Sequence, residues 1–280
     1  MLDIILFLAP PITICILFAG ILSYFGNHIL TRGIIFIDIA LAQIAALGTM
    51  IGLLLGFAEG ARSLEIISLV FTLAIISVFA MTKFEKQVIP QEAIIGIIYG
   101  LGLGLATLLS EKIPGGSNFI TKTITGNILW VTWDQVFWTF LLFAAIAVLH
   151  VLLRKHFVKI SESRENLPYS IGKVRFYELI FYITFSIVVV RAVPIGGIFL
   201  VFTLLIAPTA MATLFTQNWT ARFIWSWIIG ILGSMAGIYI SYTFNISNGP
   251  AIVCMLGVFV FIMAFIRICT YRKCADVKSI

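Results

Sequence analysis

Asp38 and Gln43 interrupt an otherwise apolar run, FIDIALAQIAALG, from Phe36 to Gly48. A carboxylate and an amide placed there could border a route for a polar species, or they could only hydrogen-bond neighbouring helices. Centring a charge in a bilayer costs about 2.5–3.5 kcal/mol even on the lenient insertion scale, so an ionisable residue inside a span is a functional candidate. Asp38 lies about four residues from one end of its run, where it could also reach the interface or pair with Arg32. At 100° per residue the two side chains stand roughly 140° apart. They can therefore border a wide cavity or a helix seam, but not one narrow ligand site.

A second polar or irregular stretch is RAVPIGGIFLVFTLLIAPTAMA, Arg191 to Ala212. Pro194 with Gly196 and Gly197 is expected to break the helix at its outer end, and Pro208 to break the hydrogen-bond ladder near the inner end. Thr203 and Thr209 could satisfy the backbone groups this frees. Interrupted helices line cavities in transporters, because irregular backbone is tolerated there; a simple kink is the alternative.

Other chemistries find little support. There is no GxxxxGK[ST] phosphate loop and no HExxH, so the chain is not expected to be an enzyme that hydrolyses ATP by that route. Ser117 and His150 fall towards opposite ends of the membrane, which separates them as a nucleophile and base. Cys15, Cys254, Cys269 and Cys274 show no CxxC spacing and read as small apolar side chains. None of His28, His150 and His156 is expected deep in a span. No cofactor is implied, and the metal ligands, if any, stay unassigned.

The elements that must carry these residues follow from composition. Of 280 residues 61% are hydrophobic and only 11% charged, with a mean hydropathy of +1.12. Soluble domains carry about 25% charged residues. Apolar runs of about 20 residues recur throughout, so the fold class is all-α, a polytopic membrane helix bundle of about eight or nine spans. The spans are expected near 2–24, 34–57, 65–82, 92–110, 136–153, 176–191, 195–216, 221–243 and 249–270. The sixth is short. No second domain or long repeat is visible, so residues 1–280 read as one transmembrane domain. With no basic region before it, the first run reads as a mature span.

The net charge of +6 does not point to nucleic acid, since there is no amphipathic basic helix and no aromatic platform. It points to lipid and to topology. With the C-terminus in the cytoplasm and the N-terminus outside, fourteen of the 18 Lys and Arg fall on the cytoplasmic side, and only Arg62, Lys112, Lys122 and Arg191 on the other. Residues 154–175 form the longest expected cytoplasmic loop, either held at an anionic lipid surface or docking a cytosolic partner. Trp130, Trp133 and Trp138 read as interfacial anchors. Glycines recur every four residues at Gly52, Gly56, Gly60, at Gly96, Gly100, Gly104 and at Gly233, Gly237, which signals close helix packing.

Taken together, these stretches resemble the permease subunit of the ABC-3 family, the zinc- and manganese-type bacterial ABC importers. FIDIALAQIAALG is followed in order by EAIIGIIYG (Glu92 to Gly100), TGNILWVTW (Thr125 to Trp133) and GIFLVFTLLIAPTAMA (Gly197 to Ala212). The resemblance implies a permease in the bacterial cytoplasmic membrane, paired with a second copy of itself. It also implies a cytosolic ATP-binding subunit and an extracytoplasmic substrate-binding protein.

The resemblance further implies that ISESRENLPYSIGK, Ile160 to Lys173, carries the ATPase contact, through Glu162, Ser163, Arg164 and the terminal Gly172. Pro168 would cut the short helix that members of the family carry there. The same resemblance makes Asp38, Gln43, Thr203, Pro208 and Thr209 residues of the translocation route or its gate. Family members place an aspartate and a histidine four residues apart on the corresponding helix, five before a glycine. Five before Gly48 stands Gln43, a neutral amide, so the metal-coordinating form of that site is not expected. The cargo is then zinc, manganese, iron or a metal chelate. A secondary carrier driven by an ion gradient and a non-transport membrane scaffold are the competing readings.

Overall fold

The computed structural model describes residues 2–58, 61–81, 90–163 and 169–277, with side chains described over 6–58, 61–80, 90–163 and 169–269. Arg164, Pro168, Gly60, Lys83 and Lys86 lie outside the described residues. Helices follow one another as α1 (Leu2–Arg32), α2 (Ile37–Leu54), α3 (Arg62–Met81), α4 (Gln91–Ser110) and a short α5 (Gly116–Thr125). After a 3₁₀ turn (Ile128–Trp130) come α6 (Trp133–Glu162), α7 (Ile171–Gly196), α8 (Ile198–Phe215), α9 (Trp219–Phe244) and α10 (Asn248–Val277). All but α5 are long and apolar enough to cross a bilayer, which gives nine candidate spans among the described residues.

Helical period decides which faces turn inward. On α1 the buried positions Ile14, Phe18, Leu22, Phe25 and Ile29 recur every three or four residues. On α7, Val174, Glu178, Phe181, Phe185, Val188 and Ala192 do the same. α1 packs against α6, α8 and α9, while α2 packs against α3 and α4, and α3 against α7. α10 closes the first group against α8 and α9.

The sixth span is not short. α7 runs for 26 residues and carries Pro194 inside its last turn; the proline nitrogen cannot donate to Val190 O, yet the helix continues to Gly196. The actual break is Gly197 alone, at φ 80°, ψ 159°. Residues 154–175 are mostly helix as well, since α6 continues to Glu162 and α7 starts at Ile171. Polar sequence there reflects helix ends standing beyond the apolar layer.

The glycines around Gly197 have a packing reason. Gly126, at φ 70°, ends α5 and lies so close that a Cβ on it would meet the Gly196 carbonyl carbon at 2.2 Å. The Asn127 N–H donates to Ile195 O at 3.0 Å. A Cβ on Gly249, at the start of α10, would stand 2.3 Å from Thr125 O. Three chain segments therefore cross backbone to backbone, and only glycine leaves them room. This junction defines one end of the bundle; Arg32, Glu162 and Trp219 mark the other.

Candidate functional site

α2 is the most enclosed of the candidate spans. It begins after a turn in which Gly33 takes φ 71°, and Phe36 stacks on Phe202 of α8 with ring centroids 6.2 Å apart. The Ile35 N–H donates to Glu92 Oε1 at 3.2 Å, tying this turn to α4. The resembling segment that contains Glu92 thus positions the start of α2.

Asp38 sits in the first turn of α2 and is only 2% exposed. The helix N-terminus favours a carboxylate there, because free N–H groups and the dipole face it; the backbone of Asp38 and Ile39 supplies this. Oδ1 nonetheless has no hydrogen-bond partner in the protein. The pairing with Arg32 does not form. Arg32 instead turns to α6 and α7: its Nε donates to Ser161 Oγ at 2.8 Å, and Nη1 stands 3.9 Å from Glu178 Oε1.

Gln43 is also buried, but on another face. It packs on α4 at Gly102, where a Cβ would meet the Gln43 Cβ at 3.2 Å. It also lines a small space with Leu103, Phe119, Ile124 and Ile198. Asp38 and Gln43 therefore do not converge, as their angular separation requires. The face of α2 that carries Asp38 continues through Ala45 to Thr49 at the helix period. Those two residues line a cavity of about 490 Å³ between α2, α3, α5 and α7, with Glu65, Ser68, Lys122 and Thr123. A buried carboxylate at one end of a helix and a largely apolar cavity with a few polar groups further along it share one small-residue face.

The α8 residues are placed elsewhere. Thr209 is fully buried, and its Oγ1 donates to Leu205 O at 3.1 Å. It faces α1 at Gly26, while Pro208 faces α9 at Gly230. Thr203 is half-buried, next to the Phe202 that stacks on Phe36. α8 stays continuous through Pro208. At the opposite end of the bundle from Gly197, Glu162 is exposed and its Oε1 accepts from Trp219 Nε1. Ser163 caps back onto Lys159 O at 2.8 Å, and Gly172 lies exposed in the first turn of α7.

One polar cluster escaped the sequence reading. His28 and His150, not expected deep in a span, are each only 1% exposed within the bundle. His28 Nδ1 lies 2.8 Å from Ser161 Oγ, and His150 bridges Thr184 Oγ1 at 2.7 Å and the Tyr24 hydroxyl at 3.1 Å. The Arg32 guanidinium lies 3.9 Å over the Phe181 ring. The available signal was the four-residue spacing of His28 and Arg32, which puts both on one face of α1. Among the described residues no group of three His, Cys, Asp or Glu converges as a metal site.

Known proteins match this chain over most of its length. The sequence profile of a family described as the ABC 3 transport family matches residues 5–267. A Haemophilus influenzae protein named "Probable iron transport system membrane protein" is 27% identical over 250 residues, 88% of this chain and 85% of that protein. The "Manganese transport system membrane protein MntB" of Synechocystis is 27% identical over 175 residues, 61% of this chain and 56% of that protein. A solved structure described as PsaBC from Streptococcus pneumoniae in complex with Fab superposes with a TM-score of 0.73 at 24% identity, covering 92% of this chain and 90% of that one.

Proposed function

The chain belongs to the ABC 3 transport family, and from that premise we propose that it is the membrane-spanning permease subunit of an ABC importer for a divalent transition metal. Zinc, manganese and iron, free or chelated, are the cargo class. The observation that carries the reading is Asp38, a carboxylate buried inside a membrane bundle with one oxygen unpartnered. An ionisable group kept at such a place is a functional candidate by default. It suits a cation passing along the α2 face that reaches the Thr49–Glu65–Lys122 cavity. Gln43 lies on another face of α2, against α4, and Thr203 follows the Phe202 that stacks on Phe36 at the start of α2.

Energy comes from a cytosolic ATP-binding subunit, docked at the exposed Glu162 and Gly172 and the half-buried Ser163, with Arg164 next in sequence. An extracytoplasmic binding protein delivers cargo to the opposite end. The charge bias of the loops supports an outside N-terminus and a cytoplasmic C-terminus. A second copy of the chain completes the transporter. Gly96, Gly100 and Gly104 leave a face of α4 with nothing within 4 Å of where side chains would begin. Small residues at that spacing let helix backbones approach closely.

Co-purification with the cognate ATPase tests the arrangement. Glu162→Arg with Gly172→Trp should abolish capture of the ATPase and leave the permease inserted. Deleting 160–173 would be a poor test, because Ile160 and Ser161 are buried in the bundle. Capture unchanged in the double variant would place docking elsewhere.

A further inference from the structure

A cavity of about 450 Å³ lies between α1, α6 and α9, apart from Asp38, Gln43 and the cavity beside α3. Its long part is apolar, walled by Leu17, Phe140, Phe143, Ala147 and Phe223. From Ile16 to His28 on α1 it runs for about 18 Å, and from Phe140 to Arg154 on α6 for about 21 Å, at 1.5 Å per residue. One leaflet occupies about half of the roughly 30 Å hydrocarbon core. The groove thus has the length of one acyl chain with its glycerol end.

The polar end is built, not incidental. Asn27, His28, Arg154 and Trp219 surround it. Arg154 is exposed and donates through Nη2 to Thr220 Oγ1 at 2.9 Å. His28 is held in one orientation. Arg32 can only donate, so Ser161 Oγ accepts from its Nε, and the same hydroxyl meets His28 Nδ1. His28 Nε2, on the other side of the ring, is buried and has no partner in the protein; nor has Asn27 Oδ1. A buried polar atom left unpaired costs about 1–3 kcal/mol, so its natural complement is a polar group brought by a ligand.

We propose that this groove is a binding site for one anionic phospholipid, with an acyl chain between α1, α6 and α9 and its phosphate and ester oxygens at Arg154 and His28. The inference rests on the membrane reading and on the cytoplasmic placement of the Arg32 end. A guanidinium at the mouth recognises the phosphate charge, and the aromatic and alanine walls take the chain. A zwitterionic lipid would fill the apolar part and bring a phosphate, but its own cation would offset that charge at the cationic end.

Native mass spectrometry of the full chain, purified with its ATPase and exchanged into phosphatidylglycerol or phosphatidylcholine micelles, tests this. The wild type should retain one phosphatidylglycerol per permease, preferred over phosphatidylcholine by about fivefold. Ala147→Trp, which plugs the groove from an exposed position, should lose the bound lipid; Arg154→Gln should keep a lipid and lose the preference. Equal retention of the two lipids by the wild type, or unchanged retention in Ala147→Trp, overturns the proposal. So does a loss of permease pairing in Ala147→Trp with lipid unchanged, which would make the groove a contact between copies. Lipid is counted without ATP or cargo, so failure here leaves the transport reading standing, and failed transport leaves this site standing.

Discussion

Ser161 Oγ of α6 lies 2.8 Å from His28 Nδ1 of α1, and the same oxygen accepts from Arg32 Nε one helical turn further on. One hydroxyl thereby locks the end of α1 to the end of α6, beside the expected ATPase surface. Ser161→Ala leaves both partners buried and unmatched. A loss of about 1–3 kcal/mol is expected, read as a lower unfolding midpoint of the purified protein.

The closest helix crossing gives a sharper stability test. A Cβ on Gly26 of α1 would stand 2.0 Å from Leu205 O of α8, a contact that only backbone movement relieves. Gly26→Ala should cost about 1–3 kcal/mol or more. Gly257→Ala on α10, with nothing within 4 Å, should stay within about 0.5 kcal/mol. Equal unfolding midpoints for the two variants would refute the α1–α8 crossing.

Arg191 ties α7 to α3 and α6, and its contacts are unequal. Glu65 stands 3.7 Å away with its side chain 67% exposed, so solvent screens the pair. Thr139 is fully buried and accepts from Arg191 Nε at 3.0 Å. Glu65→Gln should therefore change stability by less than about 1 kcal/mol. Arg191→Met should cost about 1–3 kcal/mol, and denaturant titration of the two variants decides between these weights.

Asp38→Asn keeps the shape of the α2 N-terminus and removes its charge. It should lower ATP-driven uptake at least about tenfold, the effect of losing roughly 1.4 kcal/mol at one step, while insertion is unaffected. Gln43→Leu should lower uptake less, since Gln43 faces the α4 seam. If neither substitution altered uptake, α2 would not border the route.

Much of this architecture could be read from the residues, because apolar runs of bilayer length leave few alternatives to spanning helices. Glycine spacing was a poorer guide to contact. Gly233 and Gly237 do pack on Leu256 and Ile252 of α10, but the α4 seam uses Gly102, while Gly96, Gly100 and Gly104 face away. Periodicity shows that a face is smooth; it does not show which neighbour fills it. The PIGG break, read as a cavity lining or a simple kink, also forms a three-way backbone crossing whose partners Gly126 and Gly249 lie far away in sequence, while Pro194 borders the cavity beside α3. The His28–Ser161–Arg32 cluster was hidden for the same reason, with Ser161 lying 129 and 133 residues from its two partners.

The most direct measurement is elemental analysis of cells expressing the chain with its cognate ATPase and binding protein, scanning zinc, manganese and iron together. The control carries an ATPase unable to hydrolyse ATP. An ATP-dependent gain in one of these metals is predicted, reduced by Asp38→Asn. No gain in any of them, from a complex shown to assemble, would contradict the account and mean that the α2 face passes something other than a transition metal.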